Sequence, residues 1–205
     1  MADKKRPAVS SAAVPSAGDI KFGTDGWRAR VAEKYTFDNV RRLTQGFATY
    51  LKAHEVADKG VVIGYDQRYA SEYFAQAAAE VMAGNDIAVW LTASNAPTPV
   101  ISYSVVEREA GGAVNITASH NPPTDNGFKV RDLNGGAIPP EGLNEIESYI
   151  PPNVEGVQRL AMASAKDKGL VHFWDPNPAY IAHLNGLVDL DKLRQAGLKI
   201  LVEPM

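Results

Sequence analysis

The sequence predicts an α/β protein: a three-layer α/β/α sandwich on a mixed, mainly parallel sheet, followed by the opening elements of a second, similar domain. Three observations predict it. Short apolar runs begin near residues 61, 87 and 112, with a helical pattern between each pair. The runs are apolar on both faces, as strands covered by helices on both sides must be. That order selects a right-handed βαβαβ arrangement. With 205 residues there is chain for one to two domains, and a core of that size needs no disulfide or metal staple.

The elements follow in order. Residues 1 to about 18 are rich in Ala, Ser and Pro, lack apolar periodicity and read as a disordered tail. Residues 35–55 set Phe37, Val40, Leu43, Phe47 and Leu51 at helical spacing, with Thr36 as N-cap. Val61 to Tyr65 is a buried strand. Residues 71–83 form an Ala-rich helix with Phe74, Ala77, Ala78 and Val81 on one side and Gly84 at C′. Residues 87–91 are a second strand. Thr98 and Pro99 open a helix to about Arg108. Residues 112–116 are a third strand. Phe128 to Arg131 alternates apolar and charged; with Asn134-Gly135-Gly136 and Ala137-Ile138 it reads as a hairpin.

Pro140 opens a helix through Leu143 and Ile146 that Pro151-Pro152 closes. The first domain is thus expected over 19–150, a linker over 151–174 and the start of a second domain over 175–205. In that last part a helix runs through Tyr180, Ile181 and Leu184, a short one spans about 189–195, and a strand begins at 198. Such a strand suits either an edge at a natural terminus or a piece of a longer chain, and the second is expected.

Composition excludes several classes of function. Without cysteine there is no disulfide framework, thiolate nucleophile or Cys-ligated zinc. A formal net charge of -3 lacks the basic excess of a nucleic-acid binder. No apolar run approaches the ~20 residues of a membrane span. Lys4-Lys5-Arg6 is not followed by an apolar h-region, so no secretory signal is read and a cytoplasmic location is expected.

Two segments carry chemistry. Strand 112–116 delivers Ser119 and His120 into the loop past its carboxyl end, the edge where open α/β sheets bind ligands. Pro122-Pro123 and Asn126-Gly127 stiffen that loop. Period-2 alternation sends Lys129 to the face opposite Phe128 and Val130. On residues alone, Ser119 is either a nucleophile or an ordinary ST-turn serine beside a solvated histidine and lysine. It is not a hydrolase nucleophile elbow, since G-x-S-x-G would need glycine where Thr117 and Asn121 stand. The other segment is Phe22-Gly23-Thr24-Asp25-Gly26-Trp27-Arg28. Its glycines and terminal Arg28 suit a phosphate, and an ordinary turn fits equally. Walker and dinucleotide fingerprints are absent.

Together these segments resemble the α-D-phosphohexomutase family, which interconverts 1-phospho and 6-phospho sugars. Residues 22–28 are similar to its opening loop, and Thr117 to Pro122 to its phosphoserine loop, continued by Asn126-Gly127-Phe128-Lys129. Gly64-Tyr65-Asp66-Gln67-Arg68 resembles its G-Y-D-x-R segment. The likeness covers about 19–150, and 175–205 resembles the start of the second domain.

The resemblance implies that Ser119 carries the phosphoryl group and exchanges it with glucose or mannose phosphates through a hexose 1,6-bisphosphate. Its phosphate would be a Mg²⁺ ligand. Lys129 would be the general acid/base, His120 would assist proton movement or position the phosphate, and Arg28 would neutralise the transferring phosphoryl. Thr24, Arg28, Asn121 and Lys129 would bind phosphate or substrate, with Asn121 holding the loop. Lys129 would need neighbouring cations or burial to lose its proton near neutral pH, with Arg28 and Mg²⁺ as sources of that shift. Phosphoglucosamine mutase and a non-enzymatic phosphate-binding or interaction domain are the alternatives. Two departures stand out: Ala29 follows Arg28 where the family often has Gly, and the family's D-G-D-x-D-R metal loop is absent. Asp189-Leu190-Asp191 reads as a helix cap. The resemblance implies that the remaining domains belong to the same protein and that these 205 residues alone are inactive.

Overall fold

The computed structural model describes residues 20–23 and 25–203. The expected tail and Thr24 lie outside the described residues. A six-stranded sheet organises the rest: β1 (Trp27–Arg30), β2 (Val61–Tyr65), β3 (Val89–Thr92), β4 (Gly112–Ile116), β5 (Asp125–Arg131) and β6 (Val171–Trp174), in the spatial order β1-β5-β4-β2-β3-β6. β2 pairs in parallel with β3 and β4, and β3 with β6, while β5 runs antiparallel to both β4 and β1. The predicted mixed, mainly parallel sheet is what forms.

Helices cover both faces. On one lie α1 (Phe37–Ala53), α2 (Ser71–Gly84), α4 (Pro140–Ser148) and α5 (Met162–Asp167), sharing a core with Val61, Ile63, Leu91, Val114, Ile116 and Phe128. On the other, α3 (Thr98–Glu107) and α6 (Asn177–Leu187) pack around Val62 and Ala113. Strand alternation produces this split, since Val61 and Ile63 face one layer and Val62 the other. α1 forms where expected: the Thr36 side chain accepts from the Asn39 N–H at 3.3 Å, and Val40, Leu43, Phe47 and Leu51 are buried. Each such side chain contributes about 1.5–3 kcal/mol. The alanines of α2 let it lie close to α1.

Several expectations are corrected. The hairpin after β5 does not form; Arg131 and Ala137 make an isolated bridge, and β5 pairs instead with β1 and β4. The turn Asp132 to Gly136 closes on the Asp132 carboxylate rather than on a second strand. Trp27 and Arg28, read only as the end of a phosphate loop, begin the strand Trp27–Arg30, because Trp27 buries itself opposite Phe128. The stretch expected as linker holds α5 and β6, and β6 extends the sheet beside β3. Trp174 and Trp90 enclose the Arg108 guanidinium there at 4.7 and 5.4 Å.

Gly84 is the last residue of α2 rather than its C′ position; a Cβ there would lie 2.4 Å from the Arg159 backbone, so it serves close approach. The α3 cap is Pro97, and Thr98 instead accepts from the Asn115 amide at 2.9 Å. Asp189 does cap α7 (Leu190–Gln195), accepting from the Lys192 N–H at 2.9 Å. The strand expected from 198 is not formed among the described residues, and Ile200 and Leu201 stay exposed.

Candidate active site

β2, β3 and β4 are parallel, so the loops that follow them emerge at one edge of the sheet. β5 returns from that edge, beginning at Asp125. The serine loop, 117–124, therefore spans two neighbouring strands. Its first residue is tied down, because the Thr117 N–H donates to the Gly127 carbonyl at 2.9 Å. The buried Tyr35 hydroxyl donates to the same oxygen at 2.8 Å. Burial, with the nearby Asp66 charge adding to it, pushes that hydroxyl's pKa far up, so it stays a donor.

Ser119 is exposed and has φ 56°, the left-handed region that non-glycine residues rarely adopt. Thr117 forms the ST-turn: its hydroxyl accepts from the Ser119 N–H at 3.0 Å. The Ser119 hydroxyl lies 3.5 Å from His120 Nδ1. Asn121 donates its amide to Asp125 at 3.0 Å, and its N–H donates to the Ala118 carbonyl at 3.1 Å. Arg68, in the loop after β2, donates to the carbonyls of Ser119, Asn121, Pro122 and Asp125 at 2.9, 2.6, 2.7 and 3.0 Å.

The opening loop approaches along β1. Gly26 has φ 102°, and a Cβ there would lie 2.6 Å from the Phe128 carbonyl, so only glycine fits. Arg28 pairs opposite Gly127, where the missing Cβ leaves room for both the Arg28 stem and the Thr117 carbonyl. Arg28 Nε is buried and has no hydrogen-bond partner among the described residues. A buried orphan donor is costly unless a ligand satisfies it.

Lys129 is buried on the face opposite Phe128, as alternation predicts, and its near neighbours include an anion as well as a cation. Its ammonium donates to Asp25 Oδ2 at 2.6 Å, and Arg131 donates to Asp25 Oδ1 at 2.7 Å. Burial alone would raise the Asp25 pKa. The hydrogen bonds from Arg131 and Lys129, with their charges, outweigh it and hold the carboxyl below the ordinary carboxylate range. The structure thus joins Ser119 to His120, and Arg28 to the start of the serine loop, while Lys129 pairs with Asp25.

Sequence reasoning missed Asp25, Arg68 and Arg131 as members of this cluster. Asp25 stood inside a quoted motif and Arg68 ended another; Arg131 sits two residues past Lys129 on the same face, a period-2 signal that could have found it. Among the described residues, no group of three or more His, Asp or Glu could hold a metal ion.

Comparison with known proteins places the domain in a family. Residues 19–155 match the family model described as phosphoglucomutase/phosphomannomutase, alpha/beta/alpha domain I. The chain belongs to this family. A phosphoglucomutase from Staphylococcus saprophyticus is 35% identical over 146 residues, covering 67% of this chain and 26% of the relative. A phosphoglucosamine mutase from Nostoc punctiforme is 32% identical over 148 residues, 72% of this chain and 30% of the relative. A solved structure described as a putative phosphomannomutase from Thermus thermophilus superposes with a TM-score of 0.74 at 32% identity, over 84% of this chain and 37% of that one. The chain therefore spans about a quarter to under two fifths of these relatives' length. No helix among the described residues is long and apolar enough to cross a membrane.

Proposed function

We propose that this chain is the serine-bearing domain of a phosphohexomutase that interconverts hexose 1-phosphates and hexose 6-phosphates, with glucose or mannose as the sugar. One observation carries the reading. Ser119, in a family-matched domain, is exposed at the sheet edge in a left-handed turn, with its backbone fully held and its hydroxyl left to His120.

Phosphoryl transfer depends on in-line positioning and charge neutralisation more than on covalent chemistry. In the proposed cycle the sugar hydroxyl oxygen attacks the phosphorus carried on Ser119 Oγ. The bond from phosphorus to Oγ breaks, the hydroxyl proton passes to a base, and Oγ regains a proton. The bisphosphorylated sugar then returns its other phosphoryl to Ser119 by the reverse steps. Lys129 and His120 handle the protons, Arg28 offers its unpartnered Nε–H to the phosphoryl oxygens, and Asn121 holds the loop; Thr24 is assigned to phosphate contact. The phosphoglucosamine mutase from Nostoc punctiforme supports an amino-sugar phosphate as the second reading.

The test is turnover by the full-length protein that carries this chain. Ser119→Ala should abolish interconversion of glucose 1-phosphate and glucose 6-phosphate, and of the mannose and glucosamine phosphates, while leaving the fold intact. Undiminished turnover by that variant refutes the assignment.

A further inference from the structure

We propose that Arg68 is a positioning residue: it aims Ser119 by gripping the backbone of the serine loop and does not itself touch substrate. The inference rests on the reading of Ser119 as the phosphoryl carrier. A guanidinium has five N–H donors in a rigid plane. Here Nη1 serves the Pro122 and Asp125 carbonyls, and Nη2 serves those of Ser119 and Asn121. Nε faces Asp66 Oδ2 at 3.5 Å. All four Nη donors are taken by backbone carbonyls of the loop, which leaves none of them for a phosphate.

The grip is itself supported. Asp66 Oδ1 accepts from the Arg68 N–H and from the Ser71 hydroxyl, both at 2.9 Å. The Asp66 N–H donates to the Ile116 carbonyl at 3.1 Å. Ser71 in turn accepts from the Asn126 amide at 2.9 Å. The exits of β2 and β4 are thereby stapled together, with Arg68 at the centre. Such a staple is what Ser119 needs. A left-handed non-glycine residue costs on the order of 1–3 kcal/mol and persists only where its surroundings over-determine it. The carbonyl that Arg68 holds on Ser119 belongs to that strained residue. A lysine offers three donors from one point and cannot span four carbonyls.

The experiment measures steady-state mutase kinetics and melting of the full-length protein as wild type, Arg68→Lys, Arg68→Ala and Ser119→Ala. Both Arg68 variants should lose about 10²-fold in kcat, with KM within about threefold of wild type, the mark of an interaction felt in the transition state. A raised KM at unchanged kcat would make Arg68 a substrate ligand and overturn the proposal, as would unaltered kinetics. If Arg68→Ala fails to fold, Arg68→Lys decides: full kcat overturns the proposal, and low kcat at unchanged KM and melting supports it. An active Ser119→Ala defeats the Ser119 reading and this proposal with it. Wild-type kinetics in the Arg68 variants beside a dead Ser119→Ala defeats this proposal alone.

Discussion

Ser119 and Lys129 lie on consecutive stretches of one chain and are held in opposite ways. Ser119 is exposed, and what fixes it is backbone: its N–H goes to Thr117 and its carbonyl to Arg68. Lys129 is buried, and what fixes it is side-chain charge: Asp25 takes both Lys129 and Arg131. A group that must meet a ligand gains from a rigid frame and a free tip, because the frame holds its entropy down before binding. A buried cation cannot be left so, because desolvation makes an unpaired charge costly. The two regions should therefore fail differently when broken: the serine loop in rate with the fold intact, the charged cluster in stability as well as in any proton transfer by Lys129.

The largest stability effect belongs to the charged cluster. Asp25→Asn leaves Lys129 and Arg131 buried without their anion, and should cost about 1–3 kcal/mol. That is less than the roughly 3–5 kcal/mol of a fully buried pair, because the Asp25 side chain is 35% exposed. Denaturant unfolding at neutral pH reads it. The same variant carries a pH signature. The folded Asp25 pKa lies below its unfolded value, so the contribution is full above the ordinary carboxylate pKa, about 4, and is lost as pH falls through the folded value. The gap between wild type and Asp25→Asn should narrow on acidification through that window; a gap independent of pH would break the charge account.

The smaller effect belongs to the serine loop and has the opposite sign. Ser119→Gly removes the left-handed penalty at φ 56° and should stabilise the fold by up to about 1 kcal/mol while eliminating turnover. Destabilisation instead would mean that the Ser119 side chain supports the loop, so that the frame and the tip are not separate.

The layered fold was legible because strand and helix periods differ and because β2 and β4 are apolar on both faces. Periodicity names the side of an element that seeks burial; it does not say what covers it. That is why 198–202 read as a strand yet remains unpaired, and why β6 went unseen: Val171 to Trp174 is too short for its pattern to stand out, and its place beside β3 depends on Trp90, Arg108 and Trp174 meeting across the chain. At the site, Ser119, His120, Lys129 and Arg28 were legible as residue types in a patterned context. The partners of Lys129 were not. The pairing with Asp25 joins positions 104 residues apart, and it follows from β1 folding antiparallel onto β5, a register that no local motif encodes.

The central claim is that Ser119 is the residue that carries a phosphoryl group. Peptide mapping of the full-length protein isolated from cells, before and after incubation with a hexose 1,6-bisphosphate, tests it most directly. A fraction heavier by one phosphoryl group is expected, located on Ser119 and increased by the incubation. A protein that never bears phosphate on Ser119, or bears it on another residue while turning over normally, would contradict it.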